Sequence, residues 1–112
     1  MELKMKKQFR LQKSWEFDNV IKHKKQVVNK FLIVYFKEAS EFKVGITVPK
    51  KFCNAVYRNY YKRQLKAIFH ELNVYHLNYH FVVILRKDFL TQTYKTKFDT
   101  TKRLIKKVEN GK

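Results

Sequence analysis

Two glycines, one proline and one cysteine are all that this chain of 112 residues contains, and each scarcity excludes something. With a single thiol, Cys53, no internal disulfide can form, which fits a reducing compartment. Gly45 and Gly111 stand far apart, so there is no glycine-rich loop to cradle phosphate. The longest apolar run, Phe31 to Phe36, falls well short of the roughly 20 residues a membrane span needs. Acids are scarce too, 9 against 26 lysines and arginines. Asp18, Asp88 and Asp99 are widely spaced and no acidic triplet occurs, so a two-metal nuclease site is not expected. His23, His70, His76 and His80 lack zinc spacing, and one cysteine cannot complete a Cys/His cluster. No metal site and no side-chain catalyst is expected.

What is present points to a folded, strongly cationic domain. Hydrophobic residues make up 45% of the chain and aromatics 16%, too apolar for a disordered basic tail. The formal charge of +17 is spread along the sequence, and such self-repulsion is usually retained because the partner is anionic. No repeat or Pro/Ser-rich linker divides the chain, so one domain over 1–112 is expected. The first residues, Met1 to Lys13, carry the positive charge of a signal peptide, but no apolar stretch follows. A cytoplasmic location without membrane association is the expectation.

Local patterns give the order of elements. Ser14 is positioned to cap a short helix in which Phe17, Val20 and Ile21 recur at helical spacing. Val27 to Phe36 is β-branched and aromatic, a strand. Glu38 to Glu41 is a turn, and Phe42 to Val48 alternates as a second strand, ended by Pro49. Asn54 stands at the N-cap position of a long helix beginning at Ala55. His80 to Leu85 is continuously apolar, as a buried central strand would be. Phe98, Thr101, Leu104, Ile105 and Val108 stripe a last helix, with Lys95, Lys102 and Lys106 turned outward. The fold class is therefore α/β (α+β), a two-layer sandwich in the order α-β-β-α-β-α.

The Ala55 helix holds most of the functional information. At about 100° per residue, Arg58, Asn59, Lys62, Arg63, Lys66 and His70 fall within one arc, and Tyr57, Tyr61, Leu65, Ile68 and Leu72 on an apolar one. Solvated helices often carry cations, but they mix signs to gain i,i+4 support. Here no acid occurs between Ala55 and His70. Phosphate is the matching partner: Arg58 and Arg63 can fork onto its oxygens, Lys62 and Lys66 add point charges, and Asn59 can hydrogen-bond sugar or phosphate. Phe17 and Tyr35 fit either a core or the walls of a groove in which single-stranded nucleotides stack. Cys53, beside Lys50 and Lys51, fits either a packed thiol or one with a lowered pKa.

Four blocks, taken in order, resemble the protein subunit of bacterial ribonuclease P over about Phe9 to Val108. They are Arg10 to Ile21 (RLQKSWEFDNVI), Phe31 to Tyr35 (FLIVY), Val44 to Lys51 (VGITVPKK) and Asn54 to Arg63 (NAVYRNYYKR), the last resembling the family signature R-N-R-x-K-R. The resemblance implies a left-handed β-α-β crossover, as in a ribosomal-protein-type domain, against the usual right-handed preference. It implies that a large RNA performs catalysis with magnesium, removing the 5′ leader of precursor tRNA, while the protein binds both RNAs. Carried over, Arg58, Asn59, Lys62, Arg63 and, beside them, Lys66 would contact the catalytic RNA. Phe17, Ile21 and Tyr35 would line the leader cleft, with Lys50 and Lys51 at its edge.

Three positions depart from the family pattern. Tyr60 stands where the signature has its second arginine, Ile21 where an aromatic is usual, and Cys53 where a glycine is usual. Two other readings share the charge and the helix. A structural RNA-binding protein, ribosomal or duplex-binding, would affect no cleavage rate. A protein-only ribonuclease would need the acid cluster this chain lacks.

Overall fold

A computed structural model of the chain describes residues 6–111. A 3-10 turn at Lys7–Phe9 leads into helix α1 (Ser14–Lys22), strands β1 (Gln26–Val28), β2 (Leu32–Glu38) and β3 (Lys43–Thr47), and a second 3-10 turn, Lys50–Phe52. Helix α2 (Ala55–Leu72), strand β4 (Tyr79–Leu85), the one-turn helix α3 (Lys87–Leu90) and helix α4 (Tyr94–Asn110) follow. The four strands form one sheet in the order β1-β2-β4-β3. β1 with β2 and β2 with β4 run antiparallel, while β3 and β4 run parallel and are joined through α2. The expected β-α-β unit is thus β3-α2-β4, and β4 is central, hydrogen-bonded on both sides.

The apolar run Val27 to Phe36 is not one strand but a hairpin. Asn29 breaks it: its side-chain oxygen accepts from the backbone N–H of Phe31 (2.8 Å) and Leu32 (2.9 Å), and its own N–H donates to Leu32 O. An Asx-type turn of this kind gives the backbone a partner other than a ladder. Asn29 Nδ2 also donates to Thr100 Oγ1 at 2.6 Å, fixing the hairpin to α4.

Strand alternation divides the apolar residues between two faces of the sheet. Leu32 and Val34, Val44 and Ile46, and Phe81, Val83 and Leu85 point to the face covered by α2 and α4, where they meet Leu65, Ile68, Phe69, Leu104, Ile105 and Val108. Phe42, Phe69 and Phe81 are its ring centre, with centroids 5.9–6.4 Å apart. These two layers are the sandwich the sequence predicts. The opposite face carries a smaller cluster in which α1 lays Val20, Phe17 and Ile21 over Leu11, Tyr35, Val82 and Ile84. Side chains of this size contribute roughly 1.5–3 kcal/mol each when fully buried.

Helix ends follow local chemistry. The Asn54 side chain accepts from Tyr57 N (3.1 Å) as the expected cap of α2, and Asn73 closes that helix in the left-handed conformation, φ 53°. Ser14, expected as the cap of α1, is instead its first helical residue. Glu16 reaches back, its carboxylate accepting from the N–H of Gln12 and Lys13, both at 2.9 Å. Tyr57, assigned to the apolar arc of α2, is 55% exposed. It sits in the first turn of the helix, outside the main core cluster.

Candidate nucleic-acid interface

One basic groove gathers residues that the sequence scatters. It holds about 340 Å³ and is walled by Lys7, Arg10, Gln12, Phe17, the edge of β3 at Gly45, and Lys62 and Lys66 of α2. The segment at Arg10 is brought there by a parallel bridge to Val44, with Leu11 N donating to Val44 O at 3.1 Å. Among the described residues, no acid lines the groove.

Its electrostatics favour an anion. Burial holds Lys66 below the ordinary lysine pKa, and the neighbouring charges of Arg10, Lys62 and Arg63 push it further down. A bound phosphate would reverse the second effect, since it supplies the opposite charge these cations lack. Arg10 also carries a buried Nε with no hydrogen-bond partner among the described residues. Buried donors of this kind normally have an acceptor.

Phe17 forms the apolar wall, and its position depends on Gly45. A Cβ at residue 45 would overlap Phe17 Cε2 and Cζ and stand 3.2 Å from Cδ2. Gly45 is used for close approach and not for an unusual backbone angle, since no glycine has positive φ. Tyr35, Val82 and Gly45 form a row across β2, β4 and β3. Tyr35 and Phe17 therefore flank Val82, with two strand spacings, roughly 10 Å, between Tyr35 and Gly45. Both rings are half-buried, part core and part surface. Ile21 shares that cluster, but neither it nor Tyr35 lines the basic groove.

The remaining predicted residues lie around it. Arg58, Lys62 and Lys66 form one half-buried line along α2, while Asn59 and Arg63 occupy its outer crest and are exposed. Lys50 and Lys51 are exposed on the turn between β3 and α2, outside the groove lining. Cys53 is a half-buried free thiol packed against the main core. Sequence reasoning missed Lys7, Arg10 and Gln12 as groove residues. Their signal is a contact across more than thirty residues, Arg10 with Val44, which no local spacing announces.

The start of α1 sets where Phe17 points, and it titrates. The backbone N–H groups of Lys13 and Gln12, aided by Lys43 at 3.7 Å, hold the Glu16 carboxyl below the usual carboxylate pKa. A lowered folded value means the stabilisation is full above the unfolded pKa of about 4.3 and is lost as pH falls through the folded one. Glu16→Ala should therefore lower stability by about 1 kcal/mol at pH 7. Urea unfolding should show that gap closing as the solution is acidified below about pH 4. A gap independent of pH would rule out the carboxylate as the cause.

Among the described residues, no group of three or more His, Cys, Asp or Glu side chains is arranged to hold a metal ion. No helix among them is long and apolar enough to cross a membrane.

Comparison with known proteins gives a consistent result. The family model described as Ribonuclease P matches residues 5–109. The ribonuclease P protein component of Mycoplasmopsis synoviae is 60% identical over 93 residues, 83% of either chain. That of Mycoplasma mobile is 41% identical over 108 residues, 96% of either chain. Among solved structures, an RNase P protein from Staphylococcus aureus superposes with a TM-score of 0.82 at 27% identity, covering 90% of this chain and 95% of that one. The RNase P protein from Thermotoga maritima gives 0.70 at 27% identity over 88% and 93%. With its sheet order, cationic helix and signature block accounted for together, the chain belongs to the ribonuclease P protein family, the protein component of an endonuclease that processes tRNA.

Proposed function

We propose that this chain is the protein cofactor of ribonuclease P, binding the catalytic RNA and the 5′ leader of precursor tRNA and so promoting magnesium-dependent endonucleolytic removal of the leader. The observation that supports it most is the convergence of Arg10, Lys62 and Lys66 beside Phe17, with no acid among the described lining residues. On this reading the magnesium is held by the RNA, and no step passes through a metal on the protein. The protein's contribution is electrostatic and positional. Arg58, Asn59, Lys62, Arg63 and Lys66 engage phosphates of the catalytic RNA, and each neutralised phosphate releases counterions. Phe17, Ile21 and Tyr35 offer apolar contact to the leader, while Lys50 and Lys51 add charge at its edge. Held in place, the substrate presents its scissile bond at high effective concentration. The cytoplasm, where precursor tRNA is processed, is the matching location.

Cleavage of a leader-bearing precursor at low magnesium tests this. Catalytic RNA alone, protein alone and the mixture are compared, and acceleration is expected only in the mixture. Cleavage by protein alone would reveal a nuclease. Tight RNA binding without acceleration would indicate a structural RNA-binding protein. Tyr35→Ala should weaken binding of leader-bearing precursor several-fold more than of mature tRNA. Equal losses would make the ring purely a core element.

A further inference from the structure

The flank of α2 turned away from the groove has its own character. Val56, Tyr57 and Tyr60 are exposed there, at 73%, 55% and 47%. Tyr60 lies ~160° round the helix axis from Lys62, so one phosphate-lined groove cannot account for both. Exposed side chains of this size usually rotate freely. Tyr60 instead has partners: its hydroxyl accepts from Gln64 Nε2 at 3.1 Å, and its ring meets the Tyr61 ring edge-on, with centroids 5.2 Å apart.

Gln64 is fixed in turn by a group inside the protein. Lys97, only 4% exposed, donates from Nζ to Gln64 Oε1 at 2.8 Å. Its ammonium lies 4.8 Å from the Tyr61 ring centre and 5.4 Å from that of Phe89. A lysine buried without a carboxylate is unusual, and burial holds its pKa below the ordinary value. Its ammonium is instead satisfied by an amide and two ring faces. The chain Lys97–Gln64–Tyr60 thus runs from the core to an exposed aromatic ring.

We infer that Tyr60, held by Gln64 and Lys97, is a stacking platform for an unpaired nucleobase of the catalytic RNA. This rests on the function proposed above and adds a second, non-ionic contact on the opposite flank of α2. Three features support a base as occupant. A pre-positioned ring need not be ordered when a base docks on it. The adjacent crest carries Asn59 and Arg63, suited to the phosphates on either side of that base. The alternative occupant, a second copy of this chain, would bring two bodies of charge +17 together. At the signature position where the family carries arginine, stacking replaces a phosphate fork.

The test is affinity of the full-length protein for a bacterial ribonuclease P RNA across a salt series. Tyr60→Ala should weaken binding roughly five- to tenfold without changing the salt slope. Tyr60→Phe keeps the ring and should stay within about twofold. Gln64→Leu unties the ring without removing it and should fall between the two. Wild-type affinity in Tyr60→Ala would overturn the inference alone, while a wild-type protein that does not bind the RNA would overturn the function beneath it. A Tyr60→Ala slope shallower by about one contact would assign an ionic role instead. Sedimentation showing a wild-type dimer that Tyr60→Ala abolishes would assign the ring to self-association, also against the inference.

Discussion

Replacing Lys62 and Lys66 together with alanine should lower affinity for the catalytic RNA on the order of 10- to 100-fold at low salt. The dependence of log affinity on log salt should become shallower by about 1.4 to 1.8, the loss expected for two phosphate contacts. These two lysines are chosen because they alone among the signature-helix cations also wall the groove. Their removal takes away two positive charges without exposing the core, since Leu65, Ile68 and Phe69 face the sheet. The folded state should therefore be unchanged or slightly stabilised, as the repulsion among Arg10, Lys62, Arg63 and Lys66 is relieved. The thermal midpoint should thus hold or rise slightly while RNA affinity falls. A variant that keeps the wild-type salt slope would show that the RNA does not use this flank of α2.

Gly45→Val should be the most damaging single change near the site. The added Cβ overlaps the Phe17 ring, and β3 cannot retreat because it is laddered to β4 from Lys43 to Thr47. The ring must leave its place, and α1 shifts with it or loses its grip on Val82. Overpacking of this kind costs typically 1–3 kcal/mol. Leader affinity should fall along with stability, because the apolar wall of the groove moves. Phe17→Ala placed in the Gly45→Val background should recover much of the stability, as expected of two groups in direct contact. If the double variant is as unstable as the sum of the singles, the clash is not with Phe17.

The elements were legible in the sequence where one face is apolar and the other is not. α4 shows this, with Leu104, Ile105 and Val108 buried and Lys95, Lys102 and Lys106 exposed as their spacing requires. β4 is legible for a different reason, since its unbroken apolar run marks a strand covered on both faces. Asn29 escaped notice because its turn depends on one side-chain oxygen within a β-branched run. Lys97 escaped because a lysine at helical spacing reads as solvated, and only Gln64, Tyr61 and Phe89 together make its burial tolerable. The groove was half legible. Lys62 and Lys66 follow from the helical repeat and the missing acids. Arg10 follows from no repeat at all, because its neighbours are set by the sheet order.

The bridge between Arg10 and Val44 ties one wall of the groove to the edge of the sheet. β3 is a sheet edge, and the Arg10–Leu11 segment caps part of it at Val44. One wall of the basic groove is then a segment far in sequence from the other wall, Lys62 and Lys66 of α2. Any polyanion that needs both walls must bind the docked arrangement in preference to the undocked one. It thereby shifts that local equilibrium by its difference in affinity for the two, and acts as a fastener for the N-terminal segment.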